Sequence, residues 1–220
     1  MQIEFERMLQ LSNPNLEYSE RPDTETIYAY LNKAVLKMLN EIYLPLFQTA
    51  KNIEIVANGM QDLGSLIIKD FAVPLAPPIN GLLPSNMFHY ISSSSRINRE
   101  TVYPMTEQIV DNKLVSVDTF HKYRTNGFNT PIIRKPIVCL IKHPSLNNNI
   151  SVSMFVDRYT QVINFYVTYI KKPNLISFDS DCELSVHLHN RVVELARDLF
   201  NSEKYKLSSS NNNKQDKKDE

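Results

Sequence analysis

Five histidines, two cysteines and 24 acidic side chains supply the groups that could do chemistry. The densest local set is Cys182, Glu183, His187 and His189. Metal chelation on a helix needs ligands three or four residues apart, because those share a face. His187 and His189 are two apart, so on a helix they point roughly 200° away from each other. They read as structural or surface histidines. Nucleophilic catalysis finds no footing either. There is no Gly-x-Ser-x-Gly, and no cysteine has a persuasive histidine partner. His143, beside Pro144, reads as a loop residue. Cys139 lies inside the apolar run Ile137 to Ile141 and reads as a small buried hydrophobe. The 4 glycines, at 59, 64, 81 and 127, cannot write a phosphate loop or a dinucleotide fingerprint. Asp157, Asp179 and Asp181 are single acids in turns, where capping duty is the default. Tyr159, Tyr166 and Tyr169 could stack on single-stranded nucleic acid, but core or interface roles are commoner. The expectation is a non-enzyme with no cofactor and no metal.

Bulk composition points the same way. Hydrophobic residues make up 42% and charged residues 22%, which is ordinary globular usage. The 24 basic and 24 acidic side chains cancel. A dedicated nucleic-acid binder usually has a basic excess, because phosphate contacts dominate its affinity. Arg96, Arg99, Arg124, Arg134, Lys135 and Lys142 do make one region locally basic. That region is either a solvated surface or a weak contact with DNA or acidic proteins. Two cysteines cannot build a disulfide framework, which suits a reducing compartment. Met1 to Arg7 lack the basic start and apolar core of a secretion signal. No stretch approaches the roughly 18–20 apolar residues that span a bilayer. The expectation is a soluble chain made in a cytoplasm.

The elements follow from hydrophobic periodicity. Residues 3–11 suggest a short amphipathic helix, closed by the turn residues 12–15. Residues 24–43 form the clearest helix. It starts at Pro22-Asp23-Thr24-Glu25, carries Ile27, Leu31, Ala34, Val35, Met38, Leu39 and Ile42 on one face, and ends or bends at Pro45. Asn32, Lys33, Lys37, Asn40 and Glu41 lie largely opposite. A second helix is expected over 47–69, weakened by Gly59 and Gly64. Residues 82–91, 107–117, 132–142, 150–156 and 161–170 read as strands, with Ser92 to Ser95 as a loop between the first two. Asp157-Arg158 reads as a tight turn. Residues 118–125 suggest a short helix capped by Asp118. The last helix covers about 185–201, capped by Ser185 or by a Ser180–Glu183 box.

The expected class is α+β: a helical frame with an inserted antiparallel β unit and a disordered C-terminal tail. The parts are an N-terminal helical region 1–72, a β-rich unit 73–178, a C-terminal helix 179–203 packing on the N-terminal helices, and a tail 204–220 too polar to bury itself.

Three islands of sequence resemble virion structural proteins of crAss-like bacteriophages. Residues 23–34, with Ile27, Leu31, Asn32 and Ala34, look like that family's I-x-x-x-L-N-x-A first helix. Gln61 to Ile67 look like its x-D-L-x-x-L-I, with Gly64 where the pattern often has Arg. Tyr169-Ile170-Lys171-Lys172-Pro173, then Cys182-Glu183-Leu184, Leu188-His189 and Val192 to Ala196, resemble its C-terminal ending. The islands keep their order over most of residues 20–200.

The resemblance implies a ring protein, or head–tail connector, at the portal–tail junction of the virion. Such subunits form closed rings, commonly dodecamers, below the portal protein. The implied partners are further copies of the chain, portal, neighbouring ring or tail proteins, and genomic DNA passing transiently through the channel, with no membrane. Assembly would begin in the host cytoplasm. The alternatives are another phage structural role, such as tail tube or capsid-associated protein, or a small nucleic-acid-binding regulatory module. The interface candidates are Lys33 and Lys37 on the 24–43 helix, Arg124, Arg134 and Lys135 in the basic β region, and Tyr205 in the tail.

Overall fold

The computed structural model describes residues 1–12, 14, 21–48, 61–76, 79–99, 107–125, 135–142 and 149–215; the side chains of 43–48, 125 and 205–215 lie outside that description. The fold is α+β. Two compact units divide the chain. One comprises Met1–Ser65 with Pro173–Glu220, and the other Leu66–Lys172. The β unit thus begins at Leu66 instead of residue 73 and ends at Lys172 instead of 178. The first shift arises because residues 67–73 are a strand that pairs inside the β unit, the second because Ile176 bonds Asn32 in the helical unit.

The helical unit holds α1 (Gln2–Ser12), α2 (Thr24–Gln48) and the C-terminal helix, called α4 below (His189–Gln215). Asp23 caps α2, its carboxylate accepting from the Thr26 N–H at 2.9 Å. Hydrogen bonds from Thr26 hold that carboxyl below its usual range. Ile27, Leu31, Ala34, Val35, Met38 and Leu39 are all buried, which is the helical stripe the sequence spells. The helix runs through Pro45 to Gln48. Proline there removes the hydrogen bond to the Glu41 carbonyl without ending the helix. Glu41 pairs with Arg191 at 3.6 Å, while Tyr30 bonds Glu203 at 2.7 Å. Those pairings make α2 and α4 antiparallel. Phe200 of α4 meets both Tyr30 and Phe5 of α1 edge to face. The α4 backbone stays helical to Gln215, into the expected tail. No Gly or Pro stands between His189 and Gln215 to stop it.

The expected helix over 47–69 is corrected at its C-terminal end. Residues 49–60 lie outside the described ones. Gly64–Leu66 is a 3₁₀ turn, and β1 (Ile67–Val73) follows at once. The β-branched Ile67 and Ile68 pair with Ile170 and Tyr169 and so take extended backbone.

The β unit contains β2 (Asn80–Leu82), β3 (Met87–Arg99), β4 (Gln108–Asp111), β5 (Lys113–Leu114), helix α3 (Val117–Thr125), β6 (Ile137–Lys142), β7 (Ile150–Phe155) and β8 (Thr160–Lys171). One sheet has the order β1-β8-β3-β4 and the other β2-β7-β6-β5. All pairs are antiparallel except β5 with β6, so the unit is mixed where pure antiparallel pairing was expected. Val73, Val138, Val152, Met154, Phe165, Val167 and Tyr169 share one core cluster drawn from both sheets. Phe120 of α3 covers the opposite face of β6, on Ile137 and Cys139. A strand buried on both faces explains the unbroken apolar run from Ile137 to Ile141. Ser116, ahead of the expected cap Asp118, starts α3; its hydroxyl lies 2.9 Å from that of Thr119.

The expected serine loop is the largest correction. Ser92 to Ser95 sit in the middle of β3, paired with Thr168, Val167, Tyr166 and Phe165 of β8. Ser93 and Ser95 are buried, and their hydroxyls are satisfied. Tyr90 donates to Ser93 at 2.7 Å, Asn112 donates to Ser93 at 3.1 Å, and Ser95 donates to Asn112 at 2.8 Å. Asn112 stands between β4 and β5, where the chain passes from one sheet to the other. The Asp157-Arg158 turn does the same between β7 and β8, which do not pair with each other. Asp157 holds it by accepting from Tyr159 N at 3.0 Å and Thr160 Oγ1 at 2.7 Å.

Candidate interaction surface

The three sequence islands meet around one segment of the helical unit, residues 173–189. Asn32 projects from mid-helix and pairs with Ile176 as a strand would: Ile176 N–H donates to Oδ1 at 2.7 Å, and Nδ2 donates to the Ile176 carbonyl at 3.0 Å. Glu183 closes the same segment, accepting from Asn174 N at 2.9 Å and Asn174 Nδ2 at 3.0 Å. Between these braces Ser177 and Ser180 exchange backbone hydrogen bonds at 3.0 and 3.4 Å. Phe178 and Asp179 are therefore the tip of a small hairpin. The expected Ser180–Glu183 capping box is absent because both residues serve this loop.

The 61–66 island supplies the outer support. Ser65 Oγ donates to the Glu183 carbonyl at 2.6 Å, and Ser185 Oγ donates to the Asp62 carbonyl at 3.2 Å. Ser185 precedes the 3₁₀ turn Val186–Leu188 but makes no side-chain cap bond. Its hydroxyl is committed to Asp62. Leu63, Leu184, Leu188, Val192, Val193 and Ala196 fill the space beneath. At Gly64 an added Cβ meets nothing within 4 Å, so the position has room for a side chain to start.

This bracing displays apolar surface. Phe178 is 87% exposed, Val186 80% and Leu175 65%. Scattered exposed apolar residues are common. Phe178 stands at the tip of the pinned segment, with Leu175 before it and Val186 after it in the chain. Holding the loop in shape before contact removes the ordering cost of binding.

The groups weighed for chemistry go elsewhere. Glu183 braces the loop. His187 Nε2 lies 2.8 Å from Asp62 Oδ1, and His189 Nε2 lies 3.0 Å from the Leu184 carbonyl. Burial pushes the thiols of Cys182 and Cys139 up, away from the thiolate form that reacts. Among the described residues no group of three or more His, Cys, Asp or Glu is placed to hold a metal ion. No helix of the described residues is long and apolar enough to cross a membrane. Tyr169 is buried and bonds Asn86 at 3.2 Å, and Tyr166 accepts from Asn164 at 3.1 Å. Tyr159 is exposed beneath the Arg158 guanidinium.

Of the expected interface residues, Lys33 and Lys37 belong to the helical unit and Arg124 and Lys135 to the β unit. Lys33 is tied to Glu203 and lies over the Tyr30 ring at 5.7 Å, so it is not a free docking cation. Lys37 is exposed on α2. Lys135 faces Asp111 at 3.8 Å, and Arg96 faces Glu107 at 3.5 Å, so two of the six residues expected to make that region basic are paired with acids. Arg124, on α3, borders a shallow recess with Phe120 and Phe155. Arg134 lies outside the described residues, as does the Tyr205 side chain. The loop at Phe178 was missed, although an aromatic between Ser177 and Asp179 in a turn was a signal available to find it.

No protein-family model matches the chain, and no curated protein matches it.

Proposed function

We propose that this chain is a non-enzymatic structural subunit of a tailed-phage virion, forming an oligomeric ring between portal and tail through which DNA passes. The ordered islands of resemblance to crAss-like virion proteins supply the address. The structural observation that carries the assembly role is the braced display of Phe178, flanked by Leu175 and Val186. A pinned apolar tip has little use in a monomer and is what a subunit needs to meet a neighbour. The islands support the reading further because they mostly build the brace: Asn32, Asp62, Ser65 and Glu183 all hold this one segment.

The pairing of Lys135 and Arg96 with acids speaks against DNA binding as the main task. The test is co-sedimentation of the full chain with its cognate portal protein, beside a DNA mobility shift at low and high salt. Co-sedimentation without a salt-sensitive DNA shift is expected. A DNA shift without portal binding promotes the regulatory alternative, and self-polymerisation into tubes promotes the tail-tube alternative.

A further inference from the structure

We infer that the surface receiving the Phe178 hairpin is an apolar pocket rimmed by lysine or arginine, carried by the portal protein. The inference rests on the ring reading above and gives the partner of that same tip its chemistry. From Pro173 to Asn190 the chain has Asp179, Asp181 and Glu183 and no lysine or arginine. A chain whose charges otherwise cancel thus places three acids around Phe178, the most exposed large apolar side chain among the described residues.

The fold keeps that charge at the tip. Ser177 and Ser180 pair as the neck of the hairpin, so Phe178 and Asp179 form its turn, and Asp181 follows directly after the neck. Asp179 and Asp181 are exposed, and neither joins an ion pair among the described residues. Glu183 accepts only from Asn174, a neutral donor, and so keeps its charge. The field reaches Cys182. Burial is the main reason its thiol is pushed up, and the charges of Glu183 and Asp181 add to the effect.

These charges choose the partner. Seating the Phe178 ring draws Asp179 out of water with it, and a carboxylate leaves water at tolerable cost only against a cation. A wholly apolar pocket or an acidic one therefore rejects the tip. A pocket with an apolar floor and a cationic rim accepts ring and carboxylates together. Nucleic acid offers no such surface, because its phosphates repel the acids. A second copy of the chain is a poor match as well. The recess between α1 and the start of α2 sets Glu6 and Asp23 against Arg7 and Arg21, and the recess beside Arg124 holds a single cation against two free acids. A contact between unlike proteins is free of the demand that one chain carry both halves.

The test measures binding of the full chain to its cognate portal protein at roughly 0.05 and 0.5 M sodium chloride, where screening is weak and strong. Two variants accompany the parent: Phe178→Ser, and the double variant Asp179→Asn with Asp181→Asn. All three positions are exposed, so thermal unfolding should match the parent. The parent should bind about tenfold more weakly at the higher salt. The double variant should bind about tenfold more weakly at low salt and respond little to added salt. Phe178→Ser should bind about thirty-fold more weakly at both salts, as expected for a hot-spot residue, and keep the salt response of the parent. Portal binding that ignores salt and the double variant overturns the cationic rim. Portal binding that ignores Phe178→Ser overturns the seating of the tip. Both outcomes leave the ring reading intact. Variants that weaken self-association while portal binding holds, or a parent that self-associates without binding portal, give the tip to another copy and overturn the inference. A parent that neither binds portal nor self-associates removes both readings.

Discussion

The side-chain amide of Asn32 pairs with the backbone of Ile176 through both its donor and its acceptor, 144 residues away along the chain. A polar residue on a buried-edge position of α2 thereby does the work of a missing strand. Replacing Asn32 with Leu leaves the Ile176 N–H and carbonyl without partners in a buried setting. We expect a loss of about 2 kcal/mol in urea unfolding followed by helical circular dichroism. Limited chymotrypsin cleavage after Phe178 should accelerate in the same variant, because the loop loses its brace. An unchanged cleavage rate would show that Asn32 does not hold it.

Glu183 makes the second brace and is partly exposed, so its removal should be milder. Glu183→Ala is expected to cost about 1 kcal/mol while also speeding cleavage at the tip. Loss of stability without faster cleavage would separate Glu183 from the loop.

In the β unit, Asn112 ties Ser93 and Ser95 together where the chain changes sheets. Asn112→Ala leaves the Ser95 hydroxyl without its acceptor in the interior. The expected cost is about 2 kcal/mol, with hydrogen exchange rising first in β4 and β5. Exchange that rises uniformly would contradict a local role.

Gly81 is buried, and a Cβ there would lie 2.9 Å from the Pro74 carbonyl oxygen and 2.9 Å from a Val73 methyl. The first neighbour is backbone and cannot swing aside. Gly81→Ala should destabilise by about 2 kcal/mol, whereas Gly64→Ala, with open space around it, should not. Paired thermal melts check the contrast.

The Tyr30 hydroxyl donates to Glu203, and that bond, with burial and the carboxylate charge, pushes its pKa from 10.0 up to about 12. Lys33 also faces this carboxylate. A raised pKa means the neutral phenol is favoured by folding. The stabilisation is complete below pH 10 and fades as pH climbs through the folded value near 12. Ultraviolet titration of the parent minus Tyr30→Phe should show one phenol ionising near that upper value. Glu203→Ala should bring it down towards the ordinary value. A difference titration centred on pH 10 in the parent would contradict the pairing.

The helical stripe of α2 and the apolar strands β6 to β8 were legible because burial follows period, and period is local. What was not legible depended on distant partners. Asn32 reads as a solvent-face residue until Ile176 is placed beside it. Ser92 to Ser95 read as a loop because serine favours turns, yet β8 on one side and Asn112 at the edge make them a central strand. Ile67 and Ile68 continue a helical pattern on paper, and only pairing with β8 turns them into strand. Glu183 and His187 have neighbours, Asn174 and Asp62, that spacing alone could not reveal. The ion pairs of the basic candidates were hidden in the same way: Lys33 and Lys135 meet acids within their own units.

The ring itself is most directly tested by electron microscopy of the full chain reconstituted with its cognate portal protein. A closed ring of copies stacked coaxially on portal, with the helical units as its wall, is the expected result. Portal particles bearing no added density, or isolated copies bound without contact to one another, would contradict it.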